Sequence, residues 1–233
     1  MSKIMFESEI RKIRRAGKIN NVDIINPFSE ICKFLIANPD SLSWRGKDKP
    51  DLHKSEGISI LAEKFVAAYM KSDFPAKPGT VPDEMVSIVM QTAYGYSEIE
   101  TKRIKTEHQH AMCAENCVGA LLERYIDSVL RSHRWVWCCG SFIRAVDFIR
   151  PKSDGKGWDA LQIKNRDNSE NSSSSAIRNN TDIQKWFRTF ANTGKTNWDN
   201  LPLGMENKGL SEVNFIAFAR DYLESEKKKL LKS

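Results

Sequence analysis

The sequence predicts an α/β protein in which a mixed central β-sheet is flanked by helices and preceded by a helical N-terminal half. Three observations support this fold class. Apolar residues recur at helical spacing from Glu107 to about Arg131, runs typical of strands follow, and helical spacing returns near Ile183. We therefore expect a helical N-terminal region over residues 1–105 and a core that contains the sheet over residues 106–233.

The helix of the core has one apolar face and is followed by strands. Its apolar residues are Met112, Val118, Leu121, Leu122, Tyr125, Val129 and Leu130. Residues 135–141 and 142–149 are rich in aromatic and β-branched side chains, and residues 158–164 have the same character after the turn-forming stretch 151–157. The order predicts a helix followed by a three-stranded meander.

The C-terminal part alternates loops with short ordered segments. The run from Asn165 to Ser175 is too polar for a core and predicts a surface loop, either a linker or a binding loop. A helix is expected next, with an N-cap at Thr181 and Asp182 and apolar positions at Ile183, Trp186, Phe187 and Phe190. Residues 192–211 predict a loop, residues 213–219 a last strand, and residues 224–233 a basic helix.

Composition and charge favour a partner that carries phosphates and exclude a membrane protein. The chain has 233 residues, 40% of them apolar, and 36 Lys and Arg against 30 Asp and Glu give a formal charge of +6. Apolar runs such as residues 135–139 are far shorter than the roughly 20 residues of a bilayer span. Charged residues among the first fifteen and five irregularly spaced cysteines lead us to expect a cytoplasmic protein with reduced thiols.

The strand over residues 158–164 places an amide and an ammonium side by side. Successive side chains of a strand point to opposite faces, so Gln162 and Lys164 share one face and Leu161 and Ile163 the other. In metal-assisted phosphodiester hydrolysis, an acidic residue and a carboxylate or amide oxygen hold Mg²⁺, while a lysine orients the attacking water and offsets charge. This chemistry explains such a pair in a covered sheet.

The acid that this chemistry requires is expected from the neighbouring strand. Asp147 lies 15 residues before Gln162, a spacing that suits a hairpin, and a buried aspartate between valine and phenylalanine favours a metal site. Asp159 ranks second because alternation turns its side chain away from Gln162 and Lys164.

The preceding helix offers a further carboxylate. Glu123 follows Gly119, a residue that we expect to let the helix approach the sheet. Glu115 lies roughly 80° round the helix from Glu123 by the 3.6-residue period. Either glutamate can serve, and Glu123 is preferred.

The order of helix, hairpin and helix around these residues resembles the PD-(D/E)xK nuclease superfamily, over roughly residues 112 to 220. The resemblance implies a restriction-endonuclease-like core, catalysis by Asp147, Gln162, Lys164 and Glu123, and Mg²⁺ held by all of these except the lysine. Two departures are that glutamine replaces the usual Asp or Glu at position 162 and that no proline precedes the aspartate.

The run from Leu161 to Ser175, with residues 176–178 and 185–188, is similar to type II restriction endonucleases of the SinI family. These enzymes cut double-stranded DNA at G/GWCC. The resemblance implies Mg²⁺-dependent cleavage at GGWCC by a homodimer that reads a near-palindromic site. It also implies a cognate cytosine methyltransferase that is encoded nearby and is not bound.

The loop after the catalytic strand carries side chains suited to DNA. Arginine and asparagine make bidentate contacts with guanine and adenine edges, and hydroxyl and cationic groups bind phosphates. We assign DNA binding, without naming bases, to Asn165, Arg166, Asn168, Ser173, Ser174, Arg178, Lys185 and Arg188.

Two alternatives to a magnesium-dependent nuclease are a zinc site and a non-catalytic DNA-binding protein. A zinc site would draw on His108, His110, Cys113 and Cys117, with Cys138 or Cys139, but Cys113 and Cys117 have the helical spacing of ordinary buried thiols. A non-catalytic sequence-specific DNA-binding protein would need the basic charge alone and would not need Asp147, Gln162 and Lys164.

Overall fold

The computed structural model describes residues 3–17, 23–45, 48–167, 182–202 and 209–232. Its helices are α1 Lys3–Ala16, α2 Ile25–Ala37, α3 Ser55–Met70, α4 Glu84–Tyr94, α5 Glu98–Leu130 and α6 Glu212–Leu230. Its strands are β1 Val136–Trp137, β2 Phe148–Pro151, β3 Trp158–Arg166 and β4 Ile183–Thr189. No helix in these ranges is both long and apolar enough to cross a membrane.

The four strands form one mixed sheet in the order β1-β2-β3-β4. β1, β2 and β3 are antiparallel neighbours, whereas β4 runs parallel to β3. Phe148 at the start of β2 pairs with Trp137 on one side and with Leu161 on the other. The predicted α/β class, the mixed sheet and the three-stranded meander are therefore confirmed.

The strands predicted over residues 135–141 and 142–149 are shorter in the structure, because the chain between β1 and β2 leaves the extended conformation. Gly140 has a φ of +98°, and a Cβ there would lie 2.9 Å from the Cβ of Ala68. Ala145 has a φ of +58°, a left-handed conformation that a strand does not contain.

The helix predicted from Ile183 to Phe190 is wrong, because this segment is β4. Lys185 pairs with Gln162 and Phe187 with Lys164. Trp186 is 1% exposed, whereas its neighbours Lys185 and Phe187, which point to the opposite face of the strand, are exposed and half-buried. The expected N-cap also fails, since Asp182 directly precedes the strand and Thr181 lies outside the described residues.

The last strand, predicted over residues 213–219, is wrong as well, because this segment begins α6. Phe215 and Phe218 are one helical turn apart, and the centres of both rings lie 5.5 Å from the ring of Tyr125. The helix continues to Leu230 with three lysines in its last turn, so the basic tail is helical as expected.

The chain divides into two compact units. Unit 1 comprises Met1–Lys71 and Glu123–Phe218 and contains the whole sheet, and unit 2 comprises Ser72–Leu122 and Ala219–Ser233. In unit 1, Phe28 and Phe65 are fully buried with ring centres 5.5 Å apart, which joins α2 to α3. In unit 2, the carboxylate of Asp83 caps α4. The boundary expected at residue 105 stays a prediction.

All five cysteines are free thiols. Cys32, Cys117, Cys138 and Cys139 are buried, and Cys113 is partly exposed. Burial raises the pKa of the Cys32, Cys138 and Cys139 thiols. These four cysteines therefore act as small apolar side chains, as their positions in the core require.

We expect Gly57→Ala to lower the free energy of unfolding by about 2 kcal/mol or more, because overpacking against backbone is not relieved by a rotamer change. A Cβ at Gly57 would lie 2.1 Å from the carbonyl oxygen of Asp51. Gly119→Ala in α5 is the matched control, since a Cβ there meets nothing within 4 Å. The free energy of unfolding of the control should rise by about 0.5–1 kcal/mol, because alanine is favoured over glycine inside a helix. Urea denaturation measures both, and equal midpoints for the two variants would contradict the expectation.

Candidate active site

Asp147 is fixed where the pairing between β2 and β3 ends. Its backbone N–H donates to the carbonyl of Leu161 at 2.9 Å, and its own carbonyl accepts from the N–H of Cys138 at 2.8 Å. Its carboxylate Oδ2 accepts from the N–H of Ile163 at 2.6 Å. The carboxylate therefore lies against β3 beside Gln162, as the hairpin argument predicts.

The middle of β3 supplies the amide and the ammonium. Gln162 is 3% exposed, although its side chain is polar, and Lys164 is half-buried. Leu161 and Ile163 are buried on the opposite face. The structure thus brings Asp147 beside the strand that carries Gln162 and Lys164.

The environment of Asp147 favours its neutral form. Burial raises the pKa of this carboxyl to about 6, and the N–H of Ile163 and the ammonium of Lys164 offset part of that effect. Lys164 is therefore close enough to interact with the carboxylate, and a divalent cation at the site would favour ionisation further.

Glu123 is held next to β1, the strand that pairs with β2. Its Oε2 accepts a hydrogen bond from the indole Nε1 of Trp137 at 3.0 Å. Burial raises the pKa of the Cys138 thiol, and the charges of Asp147 and Glu123 raise it further. The choice between Glu123 and the exposed Glu115 stays a prediction.

No close packing at position 119 requires a glycine. A Cβ at this position would meet nothing within 4 Å, so the expectation that this glycine lets α5 approach the sheet is wrong. The position of Glu123 is explained instead by its hydrogen bond with Trp137.

Asp159 has a different partner. Its Oδ2 accepts from both Nε and an Nη of Arg150, at 3.1 and 2.7 Å, and the two residues face each other across β2 and β3. This ion pair occupies the face of the sheet opposite to Gln162, as the alternation along β3 indicates.

The residues assigned to DNA binding are placed differently from one another. Arg166 and Lys185 are exposed. Arg188 donates from Nε to Asn165 Oδ1 at 2.9 Å, forms an ion pair with Glu212, and packs its guanidinium on a phenylalanine ring of α6. Arg188 therefore ties β4 to α6. The remaining residues of this set, Asn168, Ser173, Ser174 and Arg178, lie outside the described residues.

The donor set fits Mg²⁺ better than zinc. Asp147 and Glu123 offer carboxylate oxygens and Gln162 an amide oxygen, and hard oxygen ligands are those that Mg²⁺ takes. Within the described ranges, no three or more His, Cys, Asp or Glu side chains are grouped so as to hold a metal ion. This finding argues against the zinc alternative, which needs a cluster of cysteines and histidines.

Comparisons with known proteins cover nearly the whole chain. The family model of the SinI restriction endonuclease matches residues 10–225. The type II restriction enzyme Eco47I of Escherichia coli is 44% identical over 209 residues, which cover 87% of this chain and 90% of that protein. The type II restriction enzyme SinI of Salmonella infantis is 41% identical over 227 residues, which cover 96% of this chain and 98% of that protein.

We expect the Asp147→Asn variant of the metal-free protein to gain stability relative to wild type as the pH rises from about 4 to above 6. The folded protein keeps a proton on Asp147 that the unfolded chain, with a pKa of 3.8, releases, so ionisation destabilises only the wild type. The difference between the free energies of unfolding of the two proteins changes by up to about 3 kcal/mol over this pH range. Urea denaturation at several pH values measures it, and ¹³C NMR reports the carboxyl directly.

The control for this titration is Asp159→Asn, which retains Asp147 and should follow the wild type. If Asp147→Asn also follows the wild type at every pH, the raised pKa of Asp147 is contradicted.

Proposed function

The chain belongs to the SinI restriction endonuclease family and is a type II restriction enzyme, and from this premise we propose that it hydrolyses phosphodiester bonds of double-stranded DNA with Mg²⁺. The observation that carries the proposal is the fixed carboxylate of Asp147 beside the strand of Gln162 and Lys164. An aspartate with this pKa, next to a lysine in a half-buried site, suits metal-assisted hydrolysis.

Three side chains of unit 1 would hold the ion, namely Asp147, Glu123 and Gln162. When bound, Mg²⁺ lowers the pKa of a coordinated water and neutralises charge on the phosphate oxygens. The N–H of Ile163 keeps the carboxylate of Asp147 in one orientation. An amide at position 162 leaves the site one negative charge short of the more usual acidic pair, so we expect modest affinity for the ion.

Lys164 is proposed to act on the water and the phosphate. Its ammonium donates to the attacking water and stabilises the charge that develops on the phosphoryl oxygens. The water oxygen loses one proton and forms a bond to phosphorus, the ester bond to one sugar oxygen breaks, and that oxygen takes up one proton, so that no proton is gained or lost overall. The products are one phosphate monoester end and one hydroxyl end.

Recognition is proposed for the loop side chains and the exposed cations. Arg166 and Lys185 are exposed on β3 and β4, which suits contacts to the DNA backbone. We propose GGWCC as the target and a homodimer as the active form, because two-fold protein symmetry matches a near-palindromic site.

The cellular setting follows from the reaction. We place the enzyme in the cytoplasm, where free thiols are stable and where incoming DNA is met. We propose that a cognate cytosine methyltransferase, encoded nearby and not bound, protects the host sites.

We expect Asp147→Ala and Lys164→Ala to reduce the rate of cleavage by about 100-fold or more, because each removes a group that acts on the reacting phosphate or its metal. DNA affinity should fall by much less, since neither side chain supplies most of the phosphate contacts. Single-turnover cleavage and DNA binding in Ca²⁺ measure the two effects.

Asp159→Ala is the matched control, because its half-exposed ion pair with Arg150 contributes little and lies on the other face. If Asp159→Ala abolishes cleavage and Asp147→Ala does not, the catalytic aspartate is Asp159 and not Asp147.

We expect phage DNA digested by the wild type in Mg²⁺ to give fragments whose sequenced ends all derive from GGWCC. The digest tests activity and specificity together. Ends from another sequence would change the target, whereas no cutting with any divalent ion would favour the non-catalytic DNA-binding protein.

A further inference from the structure

One short strand links the two carboxylates of the candidate active site. β1 has two residues, and its second residue, Trp137, pairs with Phe148, which directly follows Asp147. The indole Nε1 of Trp137 donates to Glu123 Oε2 at 3.0 Å, and the backbone N–H of Cys138 donates to the carbonyl of Asp147 at 2.8 Å. Trp137 therefore contacts Glu123 of α5, and the next residue, Cys138, contacts Asp147 of the hairpin.

The indole of Trp137 is itself held in place. The residue is 7% exposed, and the guanidinium of Arg124 lies 5.0 Å from the centre of its ring. Arg124 also donates to the carbonyl of Lys71 at 3.0 Å, and the ring of Tyr69 lies 5.9 Å from the indole. Because an indole N–H can only donate, the fixed ring directs one donor at the carboxylate of Glu123.

We propose that Trp137 is a positioning residue that orients the Glu123 carboxylate for the divalent cation. This inference rests on the proposed function, in which Glu123 is a ligand of the ion. A glutamate on a helix has several rotatable bonds, and fixing its carboxylate in advance reduces the ordering that ion binding requires. Groups that hydrogen-bond a metal ligand typically change metal affinity by about 10–100-fold when they are removed.

Trp137→Phe removes the donor and keeps an aromatic ring. The probe is Mn²⁺ titrated into the metal-free protein and followed by calorimetry. Trp135→Phe is the matched control, because Trp135 is 3% exposed and its Nε1 has no hydrogen-bond partner among the described residues. We expect the Kd for Mn²⁺ to rise about tenfold or more in Trp137→Phe and to stay at the wild-type value in Trp135→Phe. Equal Kd values for the two variants overturn the proposal.

A second measurement separates orientation from loss of folding. In the background of Glu123→Ala, which leaves no side-chain oxygen at position 123, adding Trp137→Phe should weaken Mn²⁺ binding no further, because the two residues act through one carboxylate. A further loss as large as that of Trp137→Phe alone overturns the proposal, since it would show an effect that does not pass through Glu123.

Cleavage distinguishes this inference from the proposed function. The inference alone is overturned if the wild type cuts DNA and the Trp137→Phe variant needs no more Mg²⁺ than Trp135→Phe to reach its half-maximal rate. A wild type that binds Mn²⁺ with the expected response to Trp137→Phe, but cuts DNA with no divalent ion, overturns the proposed function alone. A wild type that binds no divalent ion overturns both.

Discussion

The hydrogen bond from the backbone N–H of Ile163 to the carboxylate of Asp147 is the interaction on which the candidate site depends. It lies where β2 and β3 cease to pair, so a side chain accepts from an N–H that a longer ladder would have given to a backbone carbonyl. The same bond ties the acid to the strand that carries Gln162 and Lys164. Burial raises the pKa of the carboxyl, and this hydrogen bond stabilises the charged form, so that the pKa rises only to about 6.

Local sequence patterns predicted the parts of the fold that short-range physics determines. Alternation along β3 correctly placed Gln162 opposite to Leu161 and Ile163, and the spacing to Asp147 correctly indicated a hairpin. β4 could not be predicted in this way, because Trp186 and Phe187 are adjacent aromatic residues that fit a helical period and a strand equally well. Parallel pairing with β3 decides between them, and no local pattern reveals such pairing.

The contacts that the sequence did not reveal are the long-range ones. Glu123 was expected near the sheet because of Gly119, yet the side chain that holds it is the indole of Trp137 in β1. The hydrophobic pattern of the sequence identifies this tryptophan only as an apolar residue and does not indicate its hydrogen bond. Arg188 was assigned to DNA on its charge, but Glu212 and Asn165 engage that charge inside unit 1. A buried tryptophan usually places its N–H against an acceptor, and that tendency was the available signal for the contact with Glu123.

The distribution of the thiols makes the chain convenient for spectroscopy. Four of the five sulfurs are enclosed in the core, where protonated thiols react slowly with maleimides and iodoacetamides, and the half-open Cys113 on α5 is the most accessible attachment point. A dye placed there is attached to unit 2, whereas the sheet belongs to unit 1. Fluorescence from a single native position can then follow DNA capture without engineered cysteines.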